Sequence, residues 1–133
     1  MMKRLDIKTS KREEMVDITK EVARIIADTE GEGLVHLFVQ HTTCGLTVNE
    51  NADPDVQSDF LGFLRRLIPG DDPHFRHFEH NSDAHIKSSI VGPGVIVPFS
   101  GGRLCLGRWQ GIYLCEFDGP RERRILLTIV SSE

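Results

Sequence analysis

The sequence lacks the features that mark disulfide-rich and membrane-spanning proteins. Its 133 residues include only three cysteines and no C-x-x-C pair, which excludes a disulfide framework and a cysteine-rich zinc module. No apolar run in the sequence approaches the roughly 20 residues that a transmembrane helix needs. Residues 1–6 also lack the apolar core of a signal peptide. We therefore predict a cytoplasmic protein without membrane contacts, whose thiols serve as small apolar side chains.

A surplus of basic residues is also lacking. Sixteen Lys and Arg against 20 Asp and Glu give a formal net charge of −4, which argues against a nucleic-acid-binding role. The apolar content of 39% and the charged content of 27% are those of an ordinary globular protein. The length suits one domain with its own hydrophobic core. Because no repeat or linker divides the chain, we predict a single domain over residues 1–133.

The hydrophobic pattern predicts three helices. Asp53 as cap, Pro54 at the first helical position and an apolar stripe that follows indicate a helix that ends at Pro69-Gly70. A second helix begins after Thr19 and ends at Gly31 or Gly33, and a third, short one covers residues 83–90.

The remaining apolar segments are typical of strands. They are residues 3–9, 15–18, 34–40, 46–48, 95–97, 104–106, 112–117 and 125–130. Short glycine-containing turns between successive strands favour antiparallel pairing. The predicted fold class is therefore α+β, with a largely antiparallel β-sheet covered by two or three helices.

The first candidate for chemistry follows the strand at residues 34–40. His41 stands where this strand ends, a position from which a side chain can face a cleft. Asn49, Glu50 and Asp53 then gather before a helix N-terminus, which suits an anion. The alternative is that Asp53 only caps the helix and that residues 49–51 only form a turn. That alternative explains Glu50 less well.

Histidines form the second candidate. His80 and His85 can meet where a loop enters a helix, and neutral imidazole is the usual ligand of zinc. With His41 they make a predicted three-histidine metal site that leaves a coordination position open. The alternative is an ordinary structural role, because the chain has six histidines and the spacing matches no compact metal motif.

The third candidate lies near the last strands. Trp109 and Gln110 can line a pocket or, more commonly, fill a core. Glu116 lies inside an apolar strand, where a carboxylate must be paired, bind a metal or face a cavity; it is a candidate base or metal ligand. The basic run that begins at Arg121 is either a solvated face or a phosphate-binding group.

These blocks resemble the YjbQ-like family of small uncharacterised proteins. The segments that carry the resemblance are HTTCGLTVNENADPDVQSD at 41–59, AHIKSSIVG at 84–92 and GRLCLGRWQGIYLCEFDG at 102–119. Two features depart from the family pattern. Arg108 stands where the family signature has Thr, and the loop between His80 and His85 is shorter than in many members.

The resemblance implies an α+β fold assembled as a homo-oligomer, a trimer, with a pocket for a metal or an oxyanion near the matching histidines. Carried over by position, His41, His80 and His85 lie at the metal or oxyanion, with Asn49, Glu50, Asp53, Trp109, Gln110 and Glu116 around them. We predict His41, Glu116 and Glu50 as the catalytic residues, and Asn49, Asp53, Trp109, Gln110 and, from the basic run, Arg121 as the substrate-binding residues.

The family is widely labelled secondary thiamine-phosphate synthase. The resemblance therefore implies a metal-assisted enzyme acting on a small phosphorylated substrate, with weak thiamine-phosphate synthase activity. Mg²⁺ prefers oxygen ligands, whereas a histidine site suits zinc first and then Mn²⁺ or Fe²⁺. A metal-dependent hydrolase and a non-catalytic metal- or ligand-binding protein are therefore kept as alternatives.

Overall fold

The computed structural model describes residues 1–132. Eight strands and three helices follow in the order β1 (Met2–Lys8), β2 (Glu14–Asp17), α1 (Thr19–Ile26), β3 (Glu32–Val39), β4 (Cys44–Glu50), α2 (Pro54–Leu67), α3 (Ser82–Val91), β5 (Gly94–Ser100), β6 (Arg103–Leu104), β7 (Gln110–Glu116) and β8 (Glu122–Ser131). Each helix and strand predicted from the sequence has a counterpart among these elements.

The strands form two antiparallel sheets. The larger has the order β1-β8-β3-β5-β6, and the smaller has the order β2-β7-β4. The predicted α+β class and antiparallel pairing are confirmed. The division into two sheets was not predicted, because period-two alternation fixes which side chains face inward but not which strand is the neighbour. The chain passes from the larger to the smaller sheet between β3 and β4.

Two apolar clusters hold the layers together. The larger cluster lies between the sheets and α1, and it includes Val35 and Leu37 of β3 and Leu114 of β7. The smaller cluster lies between the other face of β7 and helices α2 and α3, and it includes Leu64 and Phe117. Since β7 is buried on both faces, its sequence is an almost unbroken apolar run.

The helix ends show which local signals were decisive. Asp53 caps α2 as predicted, because its Oδ1 accepts a hydrogen bond of 2.9 Å from the backbone N–H of Asp55. The predicted end of α1 at Gly31 or Gly33 is wrong. The helix ends at Ile26, and Gly31, with φ of +74°, instead forms the turn into β3, where glycine adopts the left-handed conformation without strain.

Two of the three cysteines behave as the apolar side chains that we predicted. Cys44 and Cys115 are buried in the core, whereas Cys105 is exposed. Burial raises the pKa of each buried thiol to about 12. Both thiols are therefore protonated and unreactive at neutral pH.

The outer face of the larger sheet carries exposed apolar side chains. Leu34 and Phe38 of β3, Ile96 of β5 and Val130 of β8 are among them, and the pairing register sets Leu34 opposite Val130. We call these four residues the outer sheet patch. None of the three helices in residues 1–132 has the length and hydrophobicity of a membrane-spanning helix.

Candidate functional site

His41 lies in the connection between the two sheets. The strand β3 ends at Val39, and the chain then runs beside the start of β8, where the backbone N–H of Arg124 donates a 2.8 Å hydrogen bond to Nε2 of His41. The ring is therefore fixed at a sheet end, from which it can face a cleft.

A polar cleft of about 810 Å³ opens beside His41. This volume suits a small molecule. Its polar lining includes three histidines and an arginine, which are His41, His77, His85 and Arg121. A smaller cavity of about 500 Å³ adjoins the other side of His41 and includes Arg4, Lys8 and Arg124. We refer to the larger cavity as the histidine cleft.

The surroundings of His41 keep its ring neutral. Burial lowers the pKa of His41, and the positive charges of Arg123 and Arg124 lower it further, against the opposing effect of Glu116. Because Nε2 accepts a hydrogen bond from Arg124, the neutral ring carries its proton on Nδ1. This N–H makes no hydrogen bond within residues 1–132, so it is available to an oxygen atom of a bound ligand.

His77 and His85 form a pair in the same cleft. Their ring centroids are 5.3 Å apart with the planes at 90°. His85 lies in the first turns of α3, where its backbone N–H bonds to the carbonyl oxygen of Asn81. His77 comes from the loop that precedes this helix, so the pair depends on the way the loop folds back.

His80 does not share the cleft with His41 and His85. Its backbone has φ of +60°, and its side chain lines a separate cavity together with Gly70 and Phe78. Of the predicted metal ligands, the structure thus brings His41 and His85 together and adds His77. No three His, Cys, Asp or Glu side chains within residues 1–132 are placed to hold one metal ion.

A buried ionic cluster fixes α3 beside the cleft. Lys87 is only 1% exposed, and its Nζ lies 3.0 Å from Oδ2 of Asp83 and 2.9 Å from Oε2 of Glu13. Arg12 binds Asp83 through two hydrogen bonds of 3.1 and 3.2 Å. Burial opposes ionisation of Asp83, but the hydrogen bonds from Arg12 and Lys87 hold the pKa of Asp83 below its ordinary value. The helix that carries His85 is therefore anchored by charge pairs.

Glu116 is paired, which is one of the three possibilities that its position in an apolar strand allowed. Its side chain is fully buried and binds the guanidinium of Arg123 through both oxygens. Thr9 donates a further hydrogen bond of 2.7 Å to Oε1. Arg123 also donates to Thr43. Glu116 therefore lies beneath the cleft and does not line it.

A chain of hydrogen bonds links this buried pair to the cleft. The backbone N–H of Asp118 donates to Oε2 of Glu116 at 3.0 Å. Oδ2 of Asp118 in turn accepts hydrogen bonds from Arg121 at 3.0 Å and from Asn81 at 2.9 Å. Arg121, one of the predicted site residues, is thus held at the cleft, while His77, Asn81 and Asp118 were not among the predicted ones.

Four of the predicted site residues lie at the other end of the smaller sheet. The register pairs Cys44 with Glu116 at one end and Glu50 with Gln110 at the other. The two pairs are six positions apart along each strand, a distance of about 20 Å. Asn49 and Trp109 are the sequence neighbours of Glu50 and Gln110 and lie at the same end of the sheet. Within one chain, the structure therefore does not bring this group to the histidine cleft.

Local hydrogen bonds account for several of these distant residues. Oε1 of Gln110 accepts from the backbone N–H of Gly107 at 2.8 Å, and Oδ1 of Asn49 accepts from the N–H of Glu50 at 2.7 Å. Trp109 is 55% exposed, and the guanidinium carbon of Arg108 lies 5.0 Å from its ring centroid. The arginine that departs from the family pattern thus stacks on the tryptophan.

The fold and the sequence together identify the family. Residues 3–132 match the family described as UPF0047 protein YjbQ-like. The chain belongs to the YjbQ-like UPF0047 family. The resemblance carried by the three sequence segments is therefore confirmed over almost the whole length.

Relatives of this YjbQ-like chain occur in archaea and bacteria. It is 46% identical over 134 residues to the UPF0047 protein MJ1081 of Methanocaldococcus jannaschii, covering 100% of this chain and 96% of that one. It is 51% identical over 124 residues to the UPF0047 protein YugU of Bacillus subtilis, covering 92% and 94%. The names of these relatives state no activity.

Solved structures of YjbQ-like relatives share the whole fold. An uncharacterized conserved protein of the family from Clostridium acetobutylicum superposes with a TM-score of 0.91 at 41% identity, covering 96% of this chain and 98% of that one. The conserved hypothetical protein TT1486 from Thermus thermophilus gives a TM-score of 0.90 at 47% identity, also covering 96% and 98%. The predicted YjbQ-like α+β fold is therefore confirmed.

Proposed function

We propose that this YjbQ-like protein is an enzyme that acts on a small phosphorylated substrate in the histidine cleft. The observation that carries the proposal is the convergence of His41, His77, His85 and Arg121 on one cleft of small-molecule size. Imidazole and guanidinium groups are the side chains that bind phosphate oxygens and move protons near neutral pH.

Each of these groups has a definite part in the proposed chemistry. The Nδ1–H of His41 donates to a phosphate oxygen, and the positive charges near its ring favour an anion at this point. Arg121 is half exposed and already oriented by Asp118, so its guanidinium reaches a ligand with little loss of side-chain freedom. His77 and His85 are the candidates for proton transfer.

The experiment is a search for turnover. Purified protein is incubated with a panel of phosphorylated small molecules, and phosphorus NMR follows product formation. The panel includes hydroxymethylpyrimidine diphosphate together with thiazole phosphate, the pair that the thiamine-phosphate synthase label implies. We expect conversion of at least one compound or pair. Binding without conversion across the panel would instead support the alternative of a non-catalytic ligand-binding protein.

A second candidate function is metal binding by His77 and His85. It is favoured by the 5.3 Å separation of their ring centroids and by Glu79, which lines the same cleft. The predicted set of His41, His80 and His85 does not fit one metal ion within residues 1–132. A complete centre would need a further ligand, such as a substrate oxygen or a residue of a neighbouring copy.

This second candidate predicts zinc near one ion per chain in protein isolated without chelators, and less than a tenth of that in a His85→Ala variant. Elemental analysis measures both. His36→Ala is the matched control, because this histidine lies on β3 in the larger sheet and does not line the cleft. Metal-free wild-type protein that still converts a phosphorylated compound would contradict metal involvement and leave the main proposal standing.

We also propose that the outer sheet patch joins copies of this chain, as the predicted homotrimer requires. A contiguous exposed apolar face is typical of an interaction surface. Three copies of 15.0 kDa would weigh about 45 kDa. We expect light scattering to give this mass for the wild type and about 15 kDa for Ile96→Glu, because a buried unpaired carboxylate is strongly unfavourable.

Ile90→Glu is the control for this prediction. Ile90 of α3 is 60% exposed and Ile96 is 61% exposed, but Ile90 lies outside the outer sheet patch. We expect the Ile90 variant to keep the wild-type mass. A monomeric wild type, or an unchanged mass in the Ile96 variant, would contradict the proposed interface.

A further inference from the structure

The smaller cavity beside His41 has a role that the proposed function does not use. It has a volume of about 500 Å³, and we call it the basic cavity. It shares four lining residues with the histidine cleft, which are Gln40, His41, Glu122 and Arg123. The two cavities therefore meet at His41, and a ligand of sufficient length that is bound beside this ring can reach both.

Strand pairing brings four charged side chains together in the basic cavity. Arg4, Asp6 and Lys8 lie on one face of β1, because side chains alternate along a strand and the residues between them pack against the core. The register sets Asp6 directly opposite Arg124 of β8, so this arginine lies on the same face. The positions of these groups are thus fixed by two paired strands, and a flexible loop plays no part.

The arginines of the basic cavity keep hydrogen-bond donors free. Nε of Arg4 lies 3.4 Å from Oδ2 of Asp6, and Nε of Arg124 lies 3.9 Å from Oδ1 of the same carboxylate. In the part of the chain that the structure describes, the terminal nitrogens of both guanidinium groups have no acceptor. Free terminal nitrogens of this kind suit the oxygens of a phosphate group.

The basic cavity also has an excess of positive charge. Its carboxylates are those of Asp6 and Glu122, and three cations stand against these two, which leaves one positive charge in excess. The fourth basic residue of the lining, Arg123, is neutralised by the buried Glu116. Exposed charges on a flat sheet are normally only solvated, whereas these converge on a concave space that adjoins the proposed phosphate site.

We propose that the basic cavity binds a second phosphate group of the ligand, so that the protein acts on small molecules that carry two separate phosphate groups. The inference rests on the proposed function, since it assumes that the first phosphate group lies beside His41 and Arg121. The second phosphate group accepts hydrogen bonds from Arg4 and Arg124, and Lys8 adds its charge. Because one molecule occupies both subsites, the second contact costs little further entropy.

The experiment compares ligands that differ in one phosphate group. Bisphosphates of linear diols with three to six carbon atoms are each compared with the monophosphate of the same diol, of which 3-hydroxypropyl phosphate is the shortest. Isothermal titration of the full wild-type chain measures the affinities at about 0.15 M salt, which screens the attraction between distant charges. We expect at least one bisphosphate to bind about 10- to 100-fold more tightly than its monophosphate, the effect of added charge-assisted hydrogen bonds.

Two wild-type results would contradict the account in different ways. A ratio of affinities near one at every chain length would overturn the inference and leave the proposed function standing. Binding of none of the compounds would overturn the proposed function and the inference together.

Variants on β1 test where the second phosphate group binds. Arg4 and Lys8 line the basic cavity but not the histidine cleft, so the ratio of affinities should fall to about one in the combined Arg4→Gln, Lys8→Gln variant and fall part of the way in each single variant. Lys3→Gln is the matched control. It removes the same charge from the same strand, but alternation directs Lys3 to the other face, and it does not line the basic cavity. This control should keep the wild-type ratio, and a ratio that persists in the combined variant would overturn the inference.

Discussion

Replacing Glu116 by glutamine is expected to lower the free energy of unfolding by about 3–5 kcal/mol. The carboxylate is fully buried, and Arg123, which it pairs with, is 3% exposed. Glutamine keeps the size of the side chain but removes its charge, so the guanidinium would remain buried without a counter-ion. Urea denaturation followed by circular dichroism measures the change.

Two further variants separate charge from packing. Glu32→Gln changes an exposed carboxylate at the start of β3 and should alter stability by less than about 0.5 kcal/mol. Replacing Glu116 by leucine and Arg123 by methionine together should be milder than Glu116→Gln, because an apolar pair leaves no buried charge. If Glu116→Gln unfolds at the same urea concentration as the wild type, Glu116 is not the counter-ion that the structure shows.

Replacing His41 by alanine is expected to lower kcat/KM by about 10²- to 10³-fold for any phosphorylated compound that the protein converts, the loss expected when one donor to a developing charge is removed. The change removes the Nδ1–H donor and the neutral ring that Arg124 orients. It also removes a half-buried group whose partner is a single backbone N–H, so we expect the fold to persist. Steady-state kinetics measures the loss, and thermal melting checks that the variant is folded.

His36→Ala is the histidine control for this prediction as well. His36 lies on β3 beside Phe38 and does not line the histidine cleft, so the kcat/KM of this variant should equal that of the wild type. A folded His41→Ala variant with unchanged kcat/KM would remove His41 from the site. An unfolded variant would show that the ring acts structurally at the junction of the sheets.

The sequence alone was sufficient to predict the helices and strands and to place His41 at the end of a buried strand. The cap and proline at residues 53–54 and the alternation in β3 and β8 are local signals, and local signals fix local structure. His41 was predicted to leave the end of a buried strand, and it does. Glu116 was identified as unusual because a carboxylate inside an apolar strand must find a partner. The sequence did not indicate that this partner is Arg123.

The composition of the site was less predictable, because it depends on strand pairing. The segments at 41–59 and 102–119 contain residues of both kinds, those at the cleft and those far from it. Antiparallel pairing of β4 with β7 carries Glu50 and Gln110 about 20 Å from the end where Cys44 meets Glu116. Nearness in sequence to His41 or to Glu116 was therefore a poor guide to nearness in space.

The choice between His77 and His80 depended on loop conformation. Both lie in the polar segment between α2 and α3, and no periodic pattern distinguishes them. The left-handed backbone at His80 is rare for residues other than glycine, so nothing in the pattern indicated it. With this backbone conformation, the ring of His80 lies in a neighbouring cavity. The ring of His77 instead packs against that of His85.

The central claim is that phosphorylated small molecules bind beside His41 and His85, and nitrogen NMR of the histidine rings tests it most directly. Wild-type protein labelled with ¹⁵N in histidine is titrated with 3-hydroxypropyl phosphate. The structure predicts that the ring signals of His41 and His85 move and reach saturation together, while that of His36, on the outer face of the larger sheet, stays in place. Saturable binding that leaves both cleft histidines unmoved would contradict the account.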